Sequence, residues 1–268
     1  MIFSISQFNS YLRCGESYRR RYLCDEKIPP SISLAMGSSF HEGAKVNHLE
    51  KKKTRKNAPL SVVKDAVNDK FKEIEKEGIL LSEEDKAEVN LIGNSMKATF
   101  GLIDCYYEEF APLVQPDLVE EQVTVEAPLI FERASAQITG IIDLYTEDRW
   151  LSDLKTTSKT SKPAPTAIMQ LAIYRELVKA KLGIDIDKAS IDQFVMLKKA
   201  PKYNNYPIAL NRDLISITIA RMQYVLNQIQ AGNFPPASPD GWQCDKRYCG
   251  YFDTCKYVKG LTFYSKGE

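Results

Sequence analysis

The segment GIIDLYTEDRWLSDLKTT, residues 140–157, constrains the fold of this chain more than any other stretch. Two runs rich in β-branched and aromatic residues flank the sequence TEDR, a pattern typical of two antiparallel strands joined by a turn. A hairpin centred near residue 148 puts Asp143 opposite Asp153. Directly opposed residues have Cβ atoms about 4.5 to 5.5 Å apart, so two negative charges there are destabilising unless a cation lies between them. Lys155 points to the same face as Asp153, because alternate residues of a strand share a face.

These three side chains predict a metal site. Carboxylate oxygens suit Mg²⁺ and Mn²⁺, and a nearby lysine stabilises negative charge or orients a water molecule. Such a set is what an enzyme that hydrolyses phosphodiesters needs. The alternative is a two-faced hairpin on which Asp143 and Asp153 are exposed polar positions. Against that alternative, both aspartates lie in apolar neighbourhoods, GIID and WLSD, where an unpaired carboxylate is costly.

The N-terminal part of the chain predicts helices. Ser4 and Gln7 have the form of a capping box, and apolar residues then recur at helical spacing. After a Pro-Pro break, Ser38 or Ser39 is the expected N-cap of a second helix, which places His41 in its first or second turn. Longer amphipathic patterns follow at about 61–77 and 83–110.

Strands dominate the middle of the sequence, which predicts an α/β fold. We expect strands at 118–131, 135–145, 149–157 and about 190–198, and helices at about 165–182 and 212–230. The order strand, helix, strand from 150 to 198 predicts a right-handed crossover between parallel neighbours. The sequence has no internal repeat and no low-complexity linker. We therefore expect one domain over 1–268, with a mainly helical portion (1–112), a sheet core (113–200) and a C-terminal helix and cysteine segment (201–268).

Composition fits an ordinary soluble globular protein, with 44% hydrophobic and 26% charged residues. The N-terminal stretch has no apolar core of signal-peptide length, and no segment approaches a membrane span, so we expect a cytoplasmic protein without membrane partners. The formal net charge of +1 indicates no particular partner. Basic runs at 19–22, 51–56 and 155–162 are typical of solvated faces unless something nearby needs a polyanion.

Three of the six cysteines, Cys244, Cys249 and Cys255, lie within twelve residues near the C-terminus. In a reducing cytosol such a cluster more often binds metal than forms disulfides. Three thiolates do not complete a tetrahedral site, and no histidine lies nearby. The fourth ligand must come from Cys14, Cys24 or Cys105, of which Cys105 fits better as a small buried apolar residue within a helix.

Several of these motifs together resemble the PD-(D/E)XK nuclease superfamily. The resemblance rests on the histidine of GSSFH, the aspartate of GIIDLY, the DLK of SDLKTT and the helix QLAIY, in this order. The sequence is most similar to the RecB-like branch, which includes nuclease modules of bacterial recombination machines and CRISPR adaptation exonucleases. This branch implies a central mixed β-sheet flanked by helices.

The resemblance also implies roles for individual residues. The implied metal ligands are His41, Asp143, Asp153 and the backbone carbonyl of Leu154. Lys155 is the implied catalytic lysine, while Gln170 and Tyr174 would line the DNA side of the cleft. The family often has a further acid on the strand before the hairpin, and here Glu120 and Glu121 both remain candidates.

For the cysteines, iron-sulfur members of the RecB-like branch typically carry one cysteine just after the first helix. This position corresponds to Cys14 and leaves Cys24 as a bystander. The implied group is a 4Fe-4S cluster held by Cys14, Cys244, Cys249 and Cys255. Zinc in the same four thiolates is the alternative. We expect a structural role, since such a cluster would tie the two ends of the chain together.

The function implied is that of a metal-dependent DNA exonuclease in recombination, repair or phage DNA processing, which uses a metal-activated water and leaves a 5′-phosphate. The sequence has no P-loop, so a partner helicase, recombinase or single-strand-binding protein is expected to supply unwound DNA. Aromatic residues such as Tyr18, Tyr22, Tyr203 and Tyr206 are candidates for stacking on bases. A CRISPR-adaptation-type nuclease is the alternative among enzymes. A non-catalytic DNA-binding or assembly module is the alternative from another class.

Overall fold

The computed structural model describes residues 1–126, 136–183, 185–197 and 199–258. The elements in chain order are β1 Ile2–Ser4, α1 Ile5–Arg13, α2 Gly15–Tyr18, α3 Ile32–Thr54, α4 Leu60–Glu77, α5 Glu83–Ala87, α6 Leu91–Cys105, β2 Pro116–Glu126, β3 Gln137–Thr146, β4 Trp150–Thr157, α7 Pro165–Leu182, β5 Lys188–Val195, β6 Lys202–Pro207 and α8 Arg212–Gln230. Turns of π-helix follow α2 at Arg19–Leu23 and α6 at Tyr106–Phe110. Residues 127–131, 135 and 198 of the predicted strands lie outside the described residues.

The strands form one mixed sheet with β3 at its centre. β2 pairs with β3 in antiparallel fashion along its whole length. The other edge of β3 pairs first with β1, in parallel, and then with β4, in antiparallel fashion. β5 joins β4 in parallel, as the crossover prediction requires, and β6 closes the series antiparallel to β5. The predicted α/β class with a central mixed sheet is confirmed.

Helices cover both faces of this sheet. On one face, Ile138 and Ile142 of β3 pack against α7 and α8 through Leu171 and Leu226. On the other face, Leu144, Leu154 and Phe194 pack in a second core against residues of α3, α4 and α6, namely Phe40, Val63 and Ile103. Every strand in the middle of the sheet is therefore buried on both sides. Among the helices in the described ranges, none combines the length and the apolar character needed to cross a membrane.

The predicted start of the second helix was wrong. α3 begins at Ile32, because the hydroxyl of Ser31 accepts the backbone N–H of Leu34 and caps the helix there. The hydroxyl of Ser39 bonds instead to the carbonyl of Ala35, one turn back inside α3. Serine can satisfy its hydroxyl in either way, so the Ser-Ser pair gave a false cap signal. His41 lies in the third turn of α3.

Other helix predictions held to different degrees. α1, α4, α7 and α8 match their predicted ranges closely. The predicted helix at 83–110 is divided, because Asn90 adopts a left-handed backbone conformation (φ 56°) between α5 and α6. Two short strands, β1 and β6, were not predicted. β6 has the polar sequence KYNNYP and lacks the apolar alternation by which strands are found.

The β3–β4 hairpin has the predicted register. Leu144 pairs with Ser152 and Tyr145 with Leu151, and one further step along the same register brings Asp143 opposite Asp153. The backbone ladder ends before that step, and the N–H of Leu154 donates to the carboxylate of Asp143 instead, at 2.9 Å. The two strands therefore separate where the aspartates lie.

Gly140 of β3 allows α7 to lie close to the sheet. A Cβ at this position would lie 2.7 Å from Cε1 of Tyr174 and 2.8 Å from Cδ1 of Leu177. We expect Gly140→Ala to destabilise the protein by about 1 to 3 kcal/mol through overpacking. Denaturant unfolding measures this loss. Gly37→Ala is the control, because a Cβ at Gly37 would meet only Oγ1 of Thr156, at 3.4 Å, and because alanine is a better helix former than glycine. A similar loss of stability in both variants would contradict the packing argument.

Candidate active site

Polar side chains from several elements converge where the hairpin strands separate. α3 contributes His41, β2 contributes Glu120 and β3 contributes Asp143, and one potential ligand atom of each lies within 4.8 Å of the others. Among the described residues no other three histidine, cysteine or acidic side chains come as close together. The arrangement draws on positions that are far apart in the sequence, and the fold alone makes them neighbours.

His41 contacts hydrogen-bond acceptors through both ring nitrogens. Nδ1 lies 3.0 Å from Oε1 of Glu120 and 3.9 Å from Oδ2 of Asp143, while Nε2 lies 3.1 Å from the carbonyl oxygen of Leu154. Burial acts to lower the pKa of His41, but the charges of Asp143 and Glu120 outweigh it and raise the pKa to about 9. The positive charge of a protonated His41 thus offsets the negative charge of the oxygen acceptors around it. A bound cation can supply the same positive charge.

Burial dominates the electrostatics of the two aspartates. It raises the pKa of Asp143 although His41 and Lys155 act in the opposite direction. It also raises the pKa of Asp153 to about 6, against the attraction of Lys155 and with a further contribution from Asp143. Glu120 adds to the rise for Asp143 as Asp143 does for Asp153, so this group of carboxylates favours an additional positive charge.

Asp153, Lys155, Gln170 and Tyr174 form a hydrogen-bonded chain beside this cluster. The ammonium of Lys155 lies 2.9 Å from Oδ1 and 2.8 Å from Oδ2 of Asp153, whose side chain is 0% exposed. The amide of Gln170 donates to Oδ1 of Asp153 at 3.0 Å and to the hydroxyl of Tyr174 at 2.8 Å. The predicted i, i+4 pair on α7 therefore reaches the site.

The charge state of Lys155 follows from the same contacts. Burial acts to lower the pKa of Lys155, but the charges of Asp153 and Asp143 more than offset it, so the pKa is raised. The side chain is nevertheless 34% exposed at the edge of the cleft. Lys155 is thus a charged donor that is held by Asp153 and whose side chain is partly exposed at the cleft.

Glu120, and not Glu121, belongs to the site. Glu120 has a left-handed backbone conformation (φ 44°), which is uncommon for a residue other than glycine, asparagine or aspartate. The kink falls where Val119 and Glu120 both lie toward α3, Val119 in the core on that side and Glu120 against His41. Glu121 pairs with Lys181 of α7 at 2.5 Å, on the face where Val123 and Val125 pack, as the alternation of β2 predicts.

Two open cavities adjoin these residues. One, of about 700 Å³, is lined by His41, Glu120 and Lys155. The other, of about 890 Å³, is lined by Gln170 and Tyr174 and extends along α1 toward the C-terminal cysteine segment. Arg13 lines both cavities. The site therefore borders two cavities, one on the side of His41 and one on the side of Gln170 and Tyr174.

Comparison with known proteins agrees with this geometry. The family model described as the PD-(D/E)XK nuclease superfamily matches residues 2–256. The chain belongs to this superfamily. No curated protein matches the sequence.

One solved structure shares the fold of this chain. A protein from Eubacterium rectale described as a "Putative exonuclease" has a TM-score of 0.63 and 14% sequence identity, with coverage of 90% of this chain and 86% of that chain. At this identity the likeness shows the fold alone. The protein SSO0001 has a TM-score of 0.44 and 12% identity, with coverage of 95% and 85%, and carries no argument at that score.

Four cysteines meet at one end of this PD-(D/E)XK fold. Burial raises the pKa of Cys244, and the thiols of Cys14, Cys249 and Cys255 raise it further, so the four sulfurs are neighbours. Ala237 links two of them, because its N–H lies 3.4 Å from Sγ of Cys14 and its carbonyl lies 3.8 Å from Sγ of Cys244. The structure thus brings together the four cysteines that the sequence predicted.

The remaining cysteines lie elsewhere in the nuclease fold. Cys24 is exposed and accepts a hydrogen bond from Arg19 at 3.1 Å. Cys105 is buried in the core between α3, α4 and the sheet. Burial, with Glu109 nearby, raises the pKa of the Cys105 thiol to about 12, which fits its predicted part as a small apolar residue.

Protein contacts also join the two ends of the chain near the cysteines. The backbone N–H of Gly15 donates to the carbonyl of Pro235 at 2.8 Å, and a Cβ on Gly15 would lie 2.7 Å from that oxygen. Tyr11 donates its hydroxyl to the carbonyl of Asn233 at 2.7 Å. Arg20 lies 4.5 Å from the ring centroid of Tyr251. The glycine after Cys14 is therefore needed for close approach of the C-terminal segment.

The basic runs and tyrosines fit their predicted roles unevenly. Lys51 is buried and donates to the carbonyl of Ala111, and Lys52 donates to the carbonyl of Asp117. These two lysines of the basic run at 51–56 therefore form hydrogen bonds within the protein. Tyr18 is only 1% exposed, so it is no platform for a base. Tyr203 donates its hydroxyl to Asp192.

Proposed function

We propose that the protein is a metal-dependent DNA exonuclease that hydrolyses phosphodiester bonds in recombination, repair or phage DNA processing. The observation that carries this proposal is the convergence of His41, Glu120 and Asp143 beside the Lys155–Asp153 pair. Membership in a nuclease superfamily supports it. The description of the Eubacterium rectale neighbour is consistent with exonuclease rather than endonuclease action.

The donor set fits a hard divalent cation. Carboxylate oxygens from Glu120 and Asp143, the imidazole of His41 and the carbonyl of Leu154 are the groups that would hold Mg²⁺ or Mn²⁺, with Asp153 as a further predicted ligand. Burial raises the pKa of both aspartates, so an added positive charge beside them would favour their ionised form. The ion would polarise a phosphoryl oxygen and acidify a water molecule.

The chain's own residues would position the substrate. Lys155 presents a charged donor at the cleft edge, where negative charge develops on a phosphate during displacement. Gln170 holds the carboxylate of Asp153 in place through one N–H and contacts Tyr174 through its amide. Tyr174 is nearly buried, and burial followed by the charges of Asp143 and Asp153 keeps its pKa well above the ordinary value, so its hydroxyl acts as a neutral donor.

We further propose that Cys14, Cys244, Cys249 and Cys255 hold a structural 4Fe-4S cluster. The thiols of Cys14, Cys249 and Cys255 act on Cys244, and Ala237 contacts both Cys14 and Cys244, which supports one group bound by all four cysteines. Four thiolates are the ligands of a 4Fe-4S cluster, and zinc in the same four thiolates is the alternative.

The proposal extends to organisation and partners. We treat 1–268 as one nuclease domain, because β1 from the N-terminus pairs with the central strand and the cysteines join both ends of the chain. The sequence has no P-loop, so a helicase or recombinase would supply unwound DNA. The cytoplasm is the compartment proposed for such a role.

Cleavage of circular and linear DNA tests the proposed activity. We expect end-labelled linear DNA to be degraded with Mg²⁺ or Mn²⁺, covalently closed circles of the same sequence to survive, and a chelator to stop the reaction. Cleavage of closed circles would contradict exonuclease action. Absence of cleavage of single- and double-stranded DNA with either ion would contradict the proposed function.

Glu120→Gln and Glu121→Gln form a matched pair that tests the metal site. Each change removes one negative charge, but only Glu120 contacts His41, whereas Glu121 forms an exposed pair with Lys181. We expect Glu120→Gln to raise the Mg²⁺ concentration for half-maximal cleavage by about tenfold to 100-fold, by analogy with the effect of residues that support metal ligands. Glu121→Gln should leave it unchanged, and equal effects in the two variants would contradict the assignment.

A further inference from the structure

The cavity of about 890 Å³ joins the candidate active site to the C-terminal cysteine segment. Gln170 and Tyr174 line it beside Asp153, and Trp242 and Tyr248 line it within the cysteine segment. The described residues around this groove include Arg13 and Arg21 but no aspartate or glutamate. The chain has 35 acidic residues among 268, so a groove of this size without any is suited to a polyanion.

Trp242 and Tyr248 are two exposed aromatic residues that contact each other. Their side chains are 56% and 60% exposed, whereas the other tryptophan, Trp150, is half-buried and donates its indole N–H to Ser190. The two exposed rings meet edge to face, with centroids 5.7 Å apart and planes at 90°. The guanidinium of Arg247 lies 5.5 Å from the ring centroid of Tyr248, and more than half of each residue's surface is exposed to solvent.

Arginines flank this aromatic pair. The guanidinium of Arg13 lies 5.6 Å from the ring centroid of Trp242, and Arg13 also lines the cavity that contains His41 and Lys155. Among the described residues, ion pairs of arginine involve Arg19, Arg20, Arg55, Arg149, Arg175 and Arg247. Arg13 and Arg21 are thus available to phosphates along the groove.

We propose that Trp242 and Tyr248 form a stacking platform for unpaired bases of the DNA strand that enters the active site. This inference rests on the proposed function, and it assigns a single-stranded segment as the occupant of the groove. Aromatic faces combined with a basic groove bind single strands without base reading, because every base has a π face. A base pair inside a duplex has both faces covered by its neighbours and cannot use the platform.

The position of the platform gives the cysteine segment a second role. Trp242 lies two residues before Cys244, and Tyr248 directly precedes Cys249. The group held by the cysteines therefore fixes the backbone on which both rings are mounted. DNA binding far from the reacting phosphate would then depend on the same four thiols.

Equilibrium binding of labelled oligonucleotides tests the platform. The full-length protein is titrated, without added divalent cation, against a single strand, an abasic strand of equal length and a duplex. The variants are Trp242→Ala/Tyr248→Ala, Trp242→Phe and, as a matched control, Tyr224→Ala, which removes an aromatic ring that is 63% exposed and lies outside the groove. Unfolding midpoints establish that each variant is folded.

We expect the double variant to bind the base-bearing strand more weakly by a factor of about five to about 140 for each stacked base, and to bind the abasic strand as the wild type does. Trp242→Phe and Tyr224→Ala should retain wild-type affinity. Unchanged affinity of the double variant, or an equal loss for both strands, would overturn the platform. Wild-type cleavage is assayed in parallel, so a protein that binds through the platform but cuts no DNA would contradict only the proposed function.

Discussion

Lys155→Ala is expected to lower the rate of DNA cleavage by about 10² to 10³-fold at saturating DNA and Mg²⁺. The ammonium of Lys155 is the charged donor that contacts Asp153 and reaches the cleft. Its loss would remove stabilisation of the charge that develops on the phosphate, and alanine cannot replace it. The rate constant for hydrolysis of an end-labelled strand is the quantity to measure.

The neighbouring Lys159→Ala is the control for charge alone. Lys159 is exposed in the same basic run and is not part of the hydrogen-bonded chain. We expect it to change the salt dependence of binding slightly and to leave the rate at saturation unaffected. Because Asp153 loses its partner in Lys155→Ala, both variants should be assayed well below their unfolding midpoints. An active Lys155→Ala enzyme would exclude Lys155 from the reaction.

Cys14→Ser is expected to produce the largest loss of stability among single cysteine substitutions. A group held by Cys14 and the three C-terminal cysteines closes a loop of about 230 residues, and the loop-entropy estimate for such a cross-link is about 5 kcal/mol. We expect the variant to lose bound iron and its visible absorbance and to unfold at markedly lower denaturant concentration.

Cys24→Ser provides the comparison, because Cys24 is exposed and contacts Arg19 rather than the other thiols. It should keep the iron content, the spectrum and the unfolding midpoint of the wild type. Iron retained in Cys14→Ser but lost in Cys24→Ser would reverse the ligand assignment. Zinc in place of iron in the anaerobically purified wild type would contradict the cluster itself.

Local pattern was sufficient to predict the centre of the fold. The β3–β4 hairpin follows from strand propensity around a polar turn, and its symmetry alone placed Asp143 opposite Asp153. The helical spacing of Gln170 and Tyr174 gave their common face, and the structure shows that this face meets Asp153. These features depend on contacts close in sequence, which is why pattern reasoning reached them.

The sequence patterns did not predict features of the structure that depend on tertiary contacts. Glu120 has a positive φ and contacts His41 of α3, and the sequence pattern left Glu120 and Glu121 both as candidates. Ser38 and Ser39 suggested a helix start, although Ser31 caps α3 ten residues before His41. The exposure of Trp242 and Tyr248 could not be inferred either, since aromatic residues in a sequence are most often buried.

Binding of Mn²⁺, followed by electron paramagnetic resonance, tests the central claim most directly. If His41, Glu120 and Asp143 hold the ion, the wild type should bind Mn²⁺, Asp143→Asn should lose that binding, and Glu121→Gln should retain it. Equal Mn²⁺ binding by the wild type and Asp143→Asn, with both proteins folded, would contradict the account.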